Sequence, residues 1–407
     1  MTRLREALRI LAPLSNTIDR RRVLIVAGEA SADLHGSHLV NAVKRSHPGV
    51  AFWGIGGKNM EAAGVKILVP SSDMAVVGLT EVMYRARTIV RAANRLKGIL
   101  KHLHPHLLIL IDYPDFNLYM ARFAKQLKVP VLYYISPQVW AWRRGRVKKI
   151  AKRVDRMAVI LPFEAAFYRR WGVHVDYVGH PLLDAFERRI GKPPSDIPFP
   201  QAGSPSGIRN PQPAGPHPVI GILPGSRKEE IRSLLPVMIR SVEILKARYS
   251  DIQCLLPLAK TIEPEFIEPF IRKSALKIEV LRQDIYGILD RCHIALVASG
   301  TATLEVAFMG IPMVVVYKVT PFSYWIGRML IKVPYIGLAN LVAGERVVPE
   351  LVQDDATPER LADEALTLLE DEDIRGDMIE KLKNIKRRLG RGGASERTAR
   401  IAIEMMR

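Results

Sequence analysis

A chain of 407 residues, 48% hydrophobic and 25% charged, has the apolar material for two or three domains with a sizeable core, which excludes disorder and any fibrous class. Its formal charge of +19 is tolerated only where an anionic surface or ligand offsets self-repulsion, so nucleic acid, membrane lipid and phosphorylated substrates are the candidate partners. No apolar run approaches the roughly 18 residues of a bilayer span; the longest, Leu107 to Ile111 and Pro312 to Tyr317, have strand length.

Residues 1–22 carry Arg3, Arg5 and Arg9, a short apolar patch broken by Pro13, and then Arg20-Arg21-Arg22. Without a small-residue cleavage site they read as an exposed extension rather than a signal peptide. Strand and helix then alternate: strand Val23 to Ala27, exit loop Gly28 to Asp33, helix Leu34 to Ser46, and strands Ala51 to Ile55 and Val65 to Val69. The run Met74 to Leu100 interleaves Val76, Val77, Leu79, Val82 and Met83 with Arg85, Arg87, Arg91 and Arg95. It is either a core helix with a solvated face or a membrane-surface element. Strand Leu107 to Ile111 ends at Asp112-Tyr113-Pro114-Asp115, helix Asn117 to Leu127 follows, and strand Val131 to Ile135 leads into the loop Ser136 to Trp142 and the basic run Arg143 to Lys149. Strand Met157 to Leu161, helix Phe163 to Trp171 and strand Val175 to Val178 close this half.

Between residues 191 and 218 the text turns to Pro, Gly and Ser, which marks a linker. A second series follows, with strands near Val219, Ile252, Ile278, Ile294 and Met313, and from Pro358 the chain is helical and highly charged. This order predicts an α/β protein of two Rossmann-like, doubly wound domains facing a cleft, 23–190 and 219–357, with the helices of 358–407 packing across domains or protomers. Cys254 and Cys292 sit in apolar segments with no metal-type spacing, so both are expected to be buried thiols in a reducing compartment.

Two turns in the second half suit an anion. Gly221 to Ile231 reads as a buried strand, a tight turn at Gly225-Ser226, and the charged first turn of a helix, where Arg227 neutralises oxygens that helix N–H groups approach. Ser299-Gly300-Thr301-Ala302-Thr303-Leu304-Glu305 repeats the device after the run His293 to Val297. Either turn alone is an ordinary βα loop. The pair suits a diphosphate, with Glu305 reaching a ribose hydroxyl pair.

Seven blocks stand in register with one family. They are Ala27-Gly28-Glu29-Ala30-Ser31-Ala32-Asp33-Leu34-His35-Gly36, Asp112-Tyr113-Pro114-Asp115-Phe116-Asn117, Ser136-Pro137-Gln138-Val139-Trp140-Ala141-Trp142-Arg143, Val178-Gly179-His180-Pro181, Leu223-Pro224-Gly225-Ser226-Arg227, Ser299 to Glu305, and Asn340-Leu341-Val342-Ala343-Gly344. From about Val23 to the last helices the chain resembles the lipid-A-disaccharide synthases. Ser136 to Arg143 is the most diagnostic block. Ala32 stands where the family usually carries glycine, Ala339 where it usually carries proline, and the linker is longer than usual.

The resemblance implies a GT-B type inverting glycosyltransferase that joins UDP-2,3-diacylglucosamine to 2,3-diacylglucosamine 1-phosphate (lipid X). It releases UDP and makes a β-1′,6-linked disaccharide. The family implies a peripheral enzyme on the cytoplasmic face of the inner membrane and a homodimer with exchanged C-terminal elements. No cofactor is expected.

Such chemistry needs a base for the acceptor 6-hydroxyl and a site that stabilises the leaving diphosphate. Asp112, directly after a buried strand, is the first candidate base, and the family's functional aspartate falls on it; the alternative is a turn cap or an orienting group. Glu29 and Asp33 compete for the role, Asp115 is expected to cap the next helix, and Ser31 and His35 belong to a loop expected to bind the acceptor. Gly225, Ser226 and Arg227 hold the diphosphate, the guanidinium because it binds two oxygens at once. Ser299, Gly300, Thr301, Thr303 and Glu305 complete the nucleotide site. Asn340 joins them or holds its own backbone, and His180 is a ligand or a hinge and packing residue. Met74, Val76 and Val77 are assigned to the acceptor and lipid side with Trp140 and Arg143, against the reading that Trp140 and Trp142 pack the interdomain core.

No metal is required by these residues, and Asp371-Glu372-Asp373 reads as a solvated helical face. Three rivals remain: a UDP-N-acetylglucosamine 2-epimerase-like isomerase, a polyprenyl-linked glycosyltransferase, and a basic module that binds nucleic acid or membrane without catalysis. The absence of a recognised nucleic-acid motif weighs against nucleic acid as a partner.

Overall fold

The computed structural model describes residues 21–74, 79–141, 144–189, 217–259, 261–282, 285–319 and 333–407, with side chains throughout except at 79–86 and 189. Val76, Val77, Trp142 and Arg143, and all of the linker except 217 and 218, lie outside the described residues. The chain divides into two compact units, the first ending at Pro181 and resuming from Gly393 to Arg407, the second spanning Leu182–Gly392.

In the first unit the elements run β1 (Arg22–Ala27), α1 (Ala30–Ser46), β2 (Ala51–Gly56), α2 (Lys58–Ala62), β3 (Val65–Pro70), α3 (Leu79–Leu103), β4 (Leu107–Ile111), α4 (Pro114–Gln126), β5 (Val131–Tyr134), α5 (Val147–Arg153), β6 (Arg156–Val159), α6 (Pro162–Arg169) and β7 (Val175–Tyr177). The seven strands form one parallel sheet in the order β3-β2-β1-β4-β5-β6-β7. Successive side chains on a strand point to opposite faces. Accordingly Leu24, Val26, Leu108 and Leu110 pack into one core, and Val23, Ile25, Ala27, Leu107, Ile109 and Ile111 into another. A parallel sheet covered on both faces needs such continuous apolar strands, and β4 is buried at every position.

Helix α7 (Pro181–Arg189) leads into the second unit, which continues with β8 (Val219–Leu223), α8 (Lys228–Leu245), β9 (Gln253–Pro257), α9 (Pro264–Ile271), β10 (Lys277–Leu281), α10 (Ile285–Leu289), β11 (Ile294–Ala298), α11 (Ala302–Phe308), β12 (Met313–Tyr317), α12 (Leu338–Ala343), β13 (Glu350–Val352), α13 (Pro358–Glu370) and α14 (Glu372–Leu389). Its sheet is again parallel, in the order β10-β9-β8-β11-β12-β13. The last helix, α15 (Ala394–Met405), returns to the first unit, where Ala399, Ile401, Ala402 and Ile403 join the core that contains β1 and α1. Arg45–Glu396 and Arg156–Glu404 ion pairs and a bond from Arg397 Nε to the Val178 carbonyl (2.8 Å) edge this contact.

Several local expectations change. Helix α1 begins at Ala30 rather than Leu34, so Ser31, Asp33 and His35 stand on the helix and not in an exit loop. Helix α4 begins at Pro114 rather than Asn117, because proline's fixed φ suits the first helical position. The short strand β13 was not expected. Asp371 is not simply part of a solvated face: it caps α14, its carboxylate accepting from the Ile374 N–H at 2.9 Å. In the described part of α3, Ala92, Ala93, Leu96, Ile99 and Leu100 are buried while Arg91, Arg95 and Lys101 are exposed, the pattern of a core helix with a solvated face. No helix among the described residues is long and apolar enough to cross a membrane.

Candidate active site

The strand order of the first sheet reverses between β1 and β4, and open α/β sheets bind their ligands at such a switch point. Register sets Ala27 beside Ile111, so Gly28-Glu29 and Asp112-Tyr113 leave the sheet side by side. Asp112 and Tyr113 both occupy the left-handed region, with φ of +46° and +48°. For residues other than glycine such backbone costs on the order of 1–3 kcal/mol each and persists only where the surroundings enforce it.

Here they do. Asn117 Nδ2 donates to the carbonyls of Ile111 (3.1 Å) and Asp112 (2.5 Å), and the buried Tyr133 hydroxyl donates to the same Asp112 carbonyl at 2.6 Å. Tyr113 donates its hydroxyl to the Met74 carbonyl at 2.8 Å and lays its ring against Gly28, where a Cβ would fall 2.6 Å from the ring. Burial lifts the Asp112 carboxyl to about 6, and the charge of Glu29 adds to the rise. A carboxylate near 6 is ionised at neutral pH and more basic than an ordinary aspartate, which suits a general base.

The other first-unit candidates separate. Glu29 and Ser31 are exposed at the start of α1. Asp33 is buried and saturated: its carboxylate accepts from the N–H groups of Gly57 (2.5 Å), Asn59 (3.0 Å) and Met60 (3.1 Å) and from Asn59 Nδ2 (2.9 Å), tying α1 to the start of α2. That use argues against Asp33 as the base. His35 has a buried Nδ1 without a hydrogen-bond partner, and burial together with His38 pushes its imidazole down to about 4. His180 is buried too, pushed down to about 3 by burial and by the nearby His35. Asp115 does not cap α4; Tyr113 holds the cap position and Asp115 pairs with Arg146 from the first turn. Met74 is a core side chain.

Trp140 packs inside the first unit, edge-on to Phe163, with its indole N–H donating to Glu164 Oε1 at 3.0 Å. The fully buried Glu164 also accepts from Ser136 Oγ (2.5 Å) and from the N–H groups of Ile160 (3.2 Å) and Leu161 (2.9 Å). Tyr168 donates its hydroxyl to the Pro137 carbonyl at 2.9 Å. Helix α6 thus clamps the Ser136–Trp140 loop, and Ile135 at its start has a φ of +59°, unusual for a β-branched residue. Of the two readings of Trp140, this placement fits packing, within the first unit.

The second sheet reverses between β8 and β11, and Leu223 pairs with Val297, so both glycine turns leave adjacent strands. Gly225 has a φ of +103°, and a Cβ there would lie 2.4 Å from Glu230 Oε2. The Ser226 N–H donates to Glu230 Oε2 at 3.3 Å, and Arg227 Nη1 meets Glu230 Oε1 at 3.1 Å with its side chain 75% exposed. At the other turn, Gly300 has a φ of +148° and Thr301 is exposed, while Glu305 is half-buried. Thr303 is buried and bonds the Gly300 carbonyl at 2.7 Å; Ser299 bonds the Ile336 carbonyl at 3.1 Å. Asn340 is fully buried, donating to Val348 O and Glu350 Oε1 and accepting from the N–H groups of Val347 and Val348. With two donor and two acceptor bonds made, it holds backbone and has nothing left for a nucleotide.

A family model described as lipid-A-disaccharide synthetase matches residues 23–403. The chain belongs to that family. The lipid-A-disaccharide synthase of Geobacter metallireducens is 48% identical over 390 residues, 96% of this chain and 98% of the relative. That of Nitrosococcus oceani is 46% identical over 387 residues, 94% of this chain and 96% of the relative. A member of this family is a glycosyltransferase of lipid A biosynthesis. Among solved structures, the UDP-GlcNAc 2-epimerase from Neisseria meningitidis bound to UDP-GlcNAc is similar at a TM-score of 0.61 and 13% identity, covering 94% of this chain and 100% of that one. The calicheamicin glycosyltransferase reaches 0.55 at 14% identity, covering 96% and 99%. These likenesses show the fold, which is GT-B, and nothing of the reaction; the epimerase reading retains only this distant resemblance.

Within the lipid-A-disaccharide synthetase fold, sequence reasoning missed the residues that hold the others in place. Glu164 was legible in principle: a strand followed by Pro162-Phe163-Glu164 places proline at the first helical position and glutamate at the third, whose carboxylate reaches back to the helix start. Glu350, which accepts from the N–H groups of Ile336 and Gly337 and from Asn340, had no such signal.

Proposed function

We propose that the chain condenses UDP-2,3-diacylglucosamine with lipid X, with inversion, to the β-1′,6-linked disaccharide 1-phosphate and UDP. Membership of the family supports the reaction, and one observation carries the role of Asp112: a carboxylate held on strained backbone at the switch point and lifted to about 6. Asp112 takes the proton of the acceptor 6-hydroxyl as that oxygen attacks the anomeric carbon, and Glu29 keeps the base from being too weak. Gly225, Ser226 and Arg227 hold the departing diphosphate, with Thr301 and Glu305 beside the nucleotide. When the diphosphate arrives, it replaces the Glu230 carboxylate as the partner of Arg227 and the Ser226 N–H. The first unit serves the acceptor and the second the donor, without a metal or other cofactor.

The protein works as a peripheral enzyme on the cytoplasmic face of the inner membrane and as a homodimer. Charge supports the membrane part. Between Arg87 and Lys152 the only carboxylates are Asp112 and Asp115, while Arg91, Arg95, Lys101, Arg122, Lys148 and Lys149 stand exposed on α3, α4 and α5. Val90 and Tyr119 are 57% and 44% exposed among them. A basic surface with a few apolar side chains suits anionic lipid, which also delivers both acylated substrates. Mass spectrometry and proton NMR of the product test the reading: a β-1′,6 disaccharide 1-phosphate is expected, and a free 2-epimerised sugar nucleotide would refute it.

A further inference from the structure

We infer that Asn117 and Tyr133 are positioning residues for the base: by bonding the Asp112 carbonyl from α4 and β5 they hold the Asp112–Tyr113 pair in left-handed backbone and keep the Asp112 carboxylate beside Glu29. The inference rests on the reading of Asp112 as the base.

Both donors are fully buried, and both reach one carbonyl. Rotating the Asp112–Tyr113 peptide to ordinary extended backbone turns that carbonyl away, leaves the Tyr133 hydroxyl unpaired inside the core and reduces Asn117 Nδ2 to its bond with the Ile111 carbonyl, a cost that opposes the relief of strain. The Tyr113 hydroxyl on the Met74 carbonyl fixes the second residue of the pair in the same way. The carboxylate is thereby set toward Glu29 instead of relaxing toward the N-terminus of α4, where helix N–H groups would stabilise its anion and weaken it as a base. The groups that act on it are Glu29 from the first loop and the Tyr113 N–H beside it; its own charge acts on the Tyr133 hydroxyl from β5, as do Asn117 on α4, Arg146 ahead of α5 and Tyr168 on α6.

Steady-state kinetics across pH on the full chain, with UDP-2,3-diacylglucosamine and lipid X, test this through Tyr133→Phe, which removes one oxygen and keeps the ring. The expected result is a kcat about tenfold lower with the donor KM unchanged, and an acid limb of kcat moved down by about half a pH unit as the carboxylate relaxes. Asn117→Ala should act in the same direction, and it carries the test if the tyrosine variant does not fold. A purely structural role would lower the yield of folded protein without moving the limb. A normal kcat with an unmoved limb in folded Tyr133→Phe, alongside an inactive Asp112→Asn, overturns the positioning role alone. An active Asp112→Asn overturns the base reading and this inference with it.

Discussion

Glu29 and Asp112 leave neighbouring strands of one sheet, and the charge of Glu29 adds to burial in holding the Asp112 carboxyl near 6. Glu29→Gln removes the like charge but leaves the burial, so the acid limb of kcat should fall by about half a pH unit and stop short of the ordinary aspartate range. No shift would mean that burial alone sets the value, and an upward shift would contradict the like-charge contribution of Glu29.

The same lifted carboxyl has a consequence for stability. Its folded value, about 6, lies above the 3.8 of an unperturbed aspartate. Its proton therefore favours the fold at low pH, and that contribution is lost as pH rises through 6. Asp112→Asn, whose side chain tolerates left-handed backbone, should stabilise the protein at pH 8 by up to about 3 kcal/mol. The gain should shrink between pH 6 and 4. Thermal melts at pH 8 and pH 4 check it; an equal gain at both would contradict the assignment.

Four donors converge on the two oxygens of Glu164. Replacing one oxygen by an amide turns an acceptor into a donor and leaves at least one buried N–H or hydroxyl unpaired, so Glu164→Gln should lose about 2–4 kcal/mol in urea melts. Trp140 fluorescence should move to longer wavelength as the loop loosens. Trp140→Phe, which gives up a single bond, should cost less.

Arg227 and Asn340 stood together in the nucleotide site as read from sequence, yet the fold treats them differently. Arg227→Ala should weaken UDP binding about 10- to 100-fold, the loss of charge-assisted hydrogen bonds. Unfolding should shift by no more than about 0.5 kcal/mol, because the side chain is exposed. Asn340→Ala should do the reverse, destabilising the second unit by about 2–4 kcal/mol while the folded fraction binds UDP normally. Calorimetric titration with UDP and a denaturant series on both variants separate the roles.

The alternation of strand and helix was legible because a parallel sheet covered on both faces demands continuous apolar runs such as Leu107 to Ile111 and Ile294 to Ala298. The positions of Asp112 and Gly225 were legible because each follows such a run. What pattern could not carry was backbone conformation and side-chain pairing across distance. Nothing local in Asp112-Tyr113-Pro114 announces two left-handed residues, since Tyr133, 21 residues on, supplies one of the bonds that hold them. Asp33 read as a rival catalytic base beside Glu29, and its carboxylate is taken up by the N–H groups of Gly57, Asn59 and Met60 at the start of α2. Trp140 read either as an acceptor or lipid contact or as a packing residue, because its partner Glu164, 24 residues on, is not announced by local spacing. In each case the side chain is spent on a contact that sequence spacing does not encode.

The most direct test is UDP release from UDP-2,3-diacylglucosamine, with and without lipid X, by the wild type and by Asp112→Asn. The expected result is release that requires lipid X and falls by at least about 100-fold in the variant, while the variant binds UDP as the wild type does. Release without lipid X would contradict the synthase reaction, and full activity in Asp112→Asn would contradict the placing of the base.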